Sequence, residues 1–100
     1  MSRCCFVMIV PPEVEEELLD ELLVSFSTGV FTSTPTFTHG TAPGDLHADE
    51  QVLGRRRAVQ IQVLAQLPEA RQLRQMLSEK FADAGAIHWI MPVLDEGDLL

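Results

Sequence analysis

Arg3-Cys4-Cys5-Phe6-Val7-Met8-Ile9-Val10-Pro11-Pro12 is a near-continuous apolar run stopped by two prolines. A short apolar run without polar alternation is the pattern of a central strand covered on both faces. Pro11 and Pro12 end the strand and can open a helix, because a proline in the first turn gives up only an N–H that has no partner there. Working outward, Val14, Leu18, Leu19, Leu22 and Leu23 recur at helical spacing and predict an amphipathic helix over residues 12–25. Glu13, Glu15, Glu16, Glu17, Asp20 and Glu21 fall on the same helix. They read as a solvated face, with an acidic docking surface as the alternative. Ser27, Thr28 and Gly29 mark the turn that follows.

Residues 30–39, Val-Phe-Thr-Ser-Thr-Pro-Thr-Phe-Thr-His, are rich in β-branched and aromatic residues and alternate with period two, which predicts a second strand. Pro35 removes one ladder donor and places that strand at an edge or a bulge. Residues 57–66 read as a third strand, with Val59, Ile61, Val63 and Ala65 on one face. Pro68 opens a second helix with Leu73, Met76, Leu77, Phe81 and Ala84 as its buried stripe and Gly85 as a left-handed stop. Residues 86–94 form the last strand, followed by an acidic tail. The order βαββαβ predicts an α+β, ferredoxin-like split βαβ fold, with two helices on one face of a four-stranded antiparallel sheet. The 100 residues make a single domain, 1–100.

Between the second and third strands, residues 39–57 hold two histidines, three carboxylates and three consecutive arginines, where a hairpin needs only two to five residues. A long loop on a small scaffold usually serves function or orders when something binds it.

Composition narrows the function. The formal net charge of −8 argues against broad nucleic-acid or anionic-membrane binding, since both need a basic field. No apolar run approaches the roughly 20 residues of a membrane span, and the run from Cys4 to Val10 is too short for a signal peptide and lacks a cleavage site. The expected location is cytoplasmic. Cys4 and Cys5 are adjacent and the only cysteines, so a disulfide framework is excluded and alternation sends their side chains to opposite faces of a strand.

The sheet face left bare by the helices ought to carry Lys, Glu and Arg in a monomer. Instead, strand two offers Thr32, Thr34, Thr36 and Thr38 on one face and Phe31, Phe37 and His39 on the other. Strand three offers Gln60, Gln62 and Leu64, and strand four offers either Ile87, Trp89 and Met91 or His88, Ile90 and Pro92. A hydrogen-bonding but uncharged face suits an interface between subunits, with Thr34, Thr36, Gln60, Gln62 and Trp89 as its markers. A closed homo-oligomer with sheets facing one another is expected.

The βαββαβ order and the long loop resemble the P-II signalling superfamily and the related CutA-like proteins. His39-Gly40, Glu50-Gln51-Val52-x-Gly54-Arg55-Arg56 and Trp89-x-x-Pro92-Val93 are similar to a small P-II-like family of unassigned function, often encoded near heavy-metal efflux systems. The resemblance spans nearly the whole chain, and the Glu-Gln-Val-x-Gly-Arg-Arg run is its most specific part. It implies a homotrimer with sheets facing inwards and a T-loop-like segment over residues 40–56. Two P-II features are missing. Ala82-Asp83-Ala84-Gly85-Ala86 replaces the basic, glycine-rich loop that helps hold ATP phosphates in P-II proteins, and without tyrosine there is no uridylylation site.

Gly54, Arg55, Arg56 and Arg57 lie where the loop re-enters strand three. Guanidinium forks suit phosphate or carboxylate, so an anionic ligand such as an adenine nucleotide or bicarbonate is one reading. The other pairs these arginines with Asp45, Asp49, Glu50 or a neighbouring subunit's acidic helix. His39, Asp45, His47 and Asp49, with Cys4, Cys5 or His88, are the metal candidates. Imidazole with carboxylate suits Zn, Ni, Co or Cu(II), while a thiol shifts the preference to Cu(I). The His39 to His47 spacing matches no compact metal motif, and exposed loop histidines are the plainer alternative. Cys4 and Cys5 also read as core packing, Trp89 and Met91 as core or interface residues, and His88 as a satisfied sheet histidine.

No nucleophile sits beside a histidine in a known local signature, and there is no phosphate loop or HExxH, so an enzyme is not expected. The expected protein is a P-II-like regulatory module binding a small anion between subunits and signalling through its loop to a transporter or an enzyme. The alternative is a transition-metal-binding protein linked to metal tolerance. A third class, a purely structural oligomer, would have a loop indifferent to both ligands.

Overall fold

The computed structural model describes residues 3–26, 29–40 and 54–100. The elements are β1 (Cys4–Val10), a 3₁₀ turn (Pro12–Val14), α1 (Glu15–Ser25), β2 (Phe31–His39), β3 (Arg55–Ala65), α2 (Leu67–Lys80) and β4 (Ile87–Pro92). The sheet runs β2-β3-β1-β4, with all three pairings antiparallel. This is the expected ferredoxin-like arrangement, and the apolar run that predicts a central strand occupies an inner position. Pro35 lies on the outer strand β2.

The helix-covered face forms the core. Phe6, Met8 and Val10 of β1 join Val59, Ile61 and Val63 of β3 under Leu18, Leu22, Phe26, Leu73 and Leu77. Fully burying an aliphatic or aromatic side chain contributes about 1.5–3 kcal/mol, and Phe6, Leu22 and Ile61 are each at most 1% exposed. In α1 the inward stripe is narrower than the sequence suggests. Leu18, Leu22 and Phe26, four residues apart, are buried, whereas Leu23 is 58% exposed because one residue further turns about 100° around the helix. Glu15, Glu16 and Glu17 occupy the first turn of α1, where the helix dipole favours negative charge. Glu21 pairs with Lys80 of α2 at 2.7 Å, a half-exposed bridge of at most about 1 kcal/mol.

Gly29 is required by contact. A Cβ there would collide with the ring of Phe26, which is buried in the core. Gly29→Ala is expected to lower stability by about 1–3 kcal/mol through forced repacking, read as a lower denaturation midpoint in urea.

Several boundaries differ from expectation, among them the start of the first helix, whose residues 12–14 form a 3₁₀ turn before α1 begins at Glu15. β3 begins at Arg55 rather than Arg57, because its backbone ladder to β2 continues to the His39–Arg55 pair whatever the side chains carry. β4 covers 87–92 rather than 86–94. α2 ends at Lys80, well before the expected stop. Phe81 leaves helical geometry, the Ala84 N–H bonds to the Phe81 carbonyl at 3.1 Å, and Gly85 turns the chain at φ +75°. Phe81 and Ala84 are therefore turn residues rather than part of a helical stripe, with Phe81 packed against the core. Among the described residues no helix is long and apolar enough to cross a membrane.

Candidate functional site

Two features on the sheet carry functional information: its uncovered face and one of its ends. The register builds the uncovered face in rows. Thr32, Gln62, Val7 and Trp89 are aligned across the four strands, as are Thr34, Gln60, Ile9 and Ile87, while Leu64, Cys5 and Met91 form a shorter row. Thr36 stands beside Ala58 in the same layer. Thr34, Thr36, Gln60, Gln62 and Trp89 thus share one surface, as the sequence predicts. The open choice in β4 resolves to Ile87, Trp89 and Met91, which are 57%, 42% and 43% exposed. Arg56, opposite Thr38, is the one charged residue in these strands that alternation places on this face. The Cys5 thiol donates to Gln62 Oε1 at 3.5 Å. Burial pushes its pKa up, with the adjacent Cys4 adding to the shift, so the thiol stays protonated at neutral pH. Cys4 points the other way, into the core.

The sheet end is shaped by Pro11. β1 pairs with β3 as far as Val10 opposite Val59, and Pro11 has no N–H with which to continue the ladder. The β2–β3 pair runs on past it to His39 and Arg55. Beside this overhang lies a cleft of about 260 Å³, lined among the described residues by Ile9, Val10, Pro11, Thr38, His39, Gly40, Arg56, Arg57, Ala58, Gly85 and Ile87. Arg56 and Arg57 alternate to opposite sides of β3, yet both line the cleft. Each also has an interaction within the chain.

The predicted anion group divides. Arg56 and Arg57 line the cleft, and Gly54 precedes β3 at φ +68°. Arg55 stands apart, its guanidinium carbon 3.9 Å from the centroid of the Phe37 ring, with Nε buried and no hydrogen-bond partner. That stacking holds the cation against an aromatic face instead of an anion. Phe37 gives no sign of this role in the sequence, because only the strand register brings residues 37 and 55 together.

Of the metal candidates, Asp45, His47 and Asp49 lie outside the described residues, as does most of the loop segment 40–56. His39 is paired across the ladder with Arg55 and shares the cleft with Arg56 and Arg57, a cationic setting that disfavours a dication. His88 lies elsewhere, edge-on to Phe6 with ring centroids 6.0 Å apart. Among the described residues no three His, Cys, Asp or Glu side chains come together as a metal site.

Comparison with solved structures gives the same fold. A DUF3240 family protein from Shewanella baltica OS155 is similar over 100% of this chain and 99% of its own, with a TM-score of 0.80 and 15% identity. CPII, a nitrogen regulatory PII-like protein from Thiomonas intermedia K12 solved with ADP, AMP and bicarbonate, is similar over 99% and 98%, with a TM-score of 0.73 and 10% identity. The periplasmic divalent cation tolerance protein CutA from Archaeoglobus fulgidus is similar over 96% and 87%, with a TM-score of 0.68 and 10% identity. No curated protein sequence matches this chain significantly. The family match extends over residues 1–100. The chain therefore belongs to the DUF3240 family of proteins of unknown function, and its fold is that of the PII-like and CutA proteins.

Proposed function

We propose that this protein is a PII-like regulatory module that binds a small anion rather than catalysing a reaction. Its protomers assemble through the threonine and glutamine rows of their open sheet faces, with Arg56 at the margin, into a closed homotrimer in the cytoplasm. The anion, an adenine nucleotide or bicarbonate, sits in the cleft at the end of β3 and is completed by a neighbouring subunit. The loop 40–56, which joins the strands flanking the cleft, then presents an altered surface to a transporter or an enzyme. One observation carries the reading: Arg56, Arg57 and His39 meet in a cleft that borders the uncharged face. The similar CPII fold, solved with ADP, AMP and bicarbonate, supports the choice of ligands to test.

The experiment is calorimetric titration of the assembled protein with ATP, ADP, AMP and bicarbonate. At least one ligand is expected to bind saturably. The double variant Arg56→Ala/Arg57→Ala is expected to weaken that binding by about tenfold or more, since each charge-assisted hydrogen bond is worth about 1.5–3 kcal/mol. Silence across the panel, or undiminished binding by the double variant, overturns the reading. Zn and Cu belong in the same panel, because the fold is shared with a divalent cation tolerance protein. Tight metal binding lost in His39→Ala/His47→Ala would favour the metal-tolerance alternative.

A further inference from the structure

A second cleft, about 460 Å³ in volume, lies on the helix side of the sheet between α2 and β4. The early end of α2 creates it. Beyond Lys80 the chain leaves the helix, so only the turn 81–86 roofs the start of β4. Its volume falls within the roughly 300–1,000 Å³ of small-molecule sites. Phe81, Ala82 and Ala86 give it an accessible apolar wall over a base of Phe6, Met8, Leu18 and Leu77, each at most 5% exposed, and Arg74 and His88 also line it.

Arg74 points to the chemistry. The chain holds fifteen carboxylates against seven basic side chains, yet Arg74 makes no ion pair or hydrogen bond among the described residues. Its neighbours one turn away on α2 are Ala70, Arg71, Leu77 and Ser78, none of them acidic. The Ser78 hydroxyl donates to the Gln75 carbonyl at 2.9 Å and leaves its oxygen as an acceptor. A single guanidinium over an apolar floor fits a monoanion with an apolar body. It does not fit a di- or triphosphate, which needs several cations.

We propose that this cleft is a binding site for a small monocarboxylate with a compact apolar body, aromatic or branched aliphatic. The apolar body lies against Phe81, Ala82 and Ala86 above the Leu77 base, and the carboxylate takes the forked N–H donors of Arg74. The site adjoins the arginine cleft at the end of β3 through Val10, Gly85 and Ile87, but neither Arg56 nor Arg57 lines it.

The test is titration of the full chain with phenylbutyrate and with the neutral phenylbutanol, followed by heteronuclear NMR shifts and calorimetry. Phenylbutyrate is expected to bind saturably and to shift the amides of Leu77, Ser78, Ala86 and His88. Arg74→Gln, a change at a half-exposed helix position, is expected to weaken the acid about tenfold or more and leave the alcohol unchanged. Ala86→Trp, at an exposed lining residue, is expected to block both probes, while Arg56→Ala/Arg57→Ala leaves both unaffected. The proposal is overturned if neither probe binds at millimolar concentration. It is equally overturned if acid and alcohol bind alike to parent and Arg74→Gln, which would be apolar adsorption. A fall in particle mass on adding the acid would mean that a second copy of the chain covers the cleft, and would also overturn it.

Discussion

Phe6→Ala is expected to lower the stability of the protein by about 3–5 kcal/mol, the range for removing a buried aromatic ring. Phe6 is 1% exposed and sits in the middle of β1, an inner strand, with Val63 on one side and Ile90 on the other. Its ring also lies edge-on to His88 and forms part of the floor of the cleft beneath α2. The neighbouring backbone is held by ladders on both sides and cannot collapse fully into the void, so the cost belongs at the upper end of that range. Domains of this size are stable by about 5–15 kcal/mol, so the loss is a large fraction of the total. With a urea slope of about 1–3 kcal/mol/M, the denaturation midpoint should fall by roughly 2 M. Leu23→Ala, at a 58% exposed position of α1, should change stability by no more than about 0.5 kcal/mol. The two variants are compared at one protein concentration, because the proposed assembly would contribute to apparent stability. Equal midpoints for the two would refute the placement of β1 in the core.

On the proposed sheet-to-sheet assembly, Gln60→Lys/Trp89→Lys is expected to reduce the oligomer to folded protomers of 11.1 kDa. Both residues lie on the uncovered sheet face, in adjacent rows on β3 and β4. Trp89 is 42% exposed and Gln60 half-buried within one protomer, so the lysines can be hydrated once the protomer is alone. Between facing sheets the same ammonium groups would have no carboxylate opposite them, since the face carries none. An unpaired charge taken out of water costs several kcal/mol, and symmetry repeats that cost in every copy. Light scattering should report the protomer mass with the circular dichroism of the sheet and helices unchanged. Leu23→Lys, on the outer side of α1, should leave the assembly intact. An unaltered mass for the double variant would place the subunit contact elsewhere.

Much of the fold was legible because it depends on local pattern. The apolar run at 4–10 needs cover on both faces, and leucines four residues apart in 15–25 need one-sided cover. Pro68 and Glu69 mark a helix start. The absence of charge across the threonine and glutamine rows of the open face could also be read, since alternation alone sorts Thr34, Gln60 and Gln62 into one layer. The end of α2 could not. Ala82, Asp83 and Ala84 do not forbid a helix, and the stop is set by the turn that carries the chain to β4.

The candidate site was legible only in part. Three consecutive arginines announce a cationic place, but their division is decided by register. Pairing His39 with Arg55 sets Arg55 over Phe37, and Pro11 ends β1 where Arg56 and Arg57 can reach the cleft. Arg74 gave no signal, because a lone arginine on a helix is ordinary until the apolar cleft beside it is known.

The amino-acid sequence by itself determined the order of strands and helices, the acidic first helix and the absence of charge across the threonine and glutamine rows. These follow from periodicity, proline chemistry and side-chain type, which act over a few residues. Only the tertiary structure decided which β4 residues join the open face, which arginines line the cleft at the sheet end, and where α2 leaves the sheet uncovered. Those outcomes depend on contacts between residues far apart in the chain, where a shift of one residue in register moves every side chain to the opposite face.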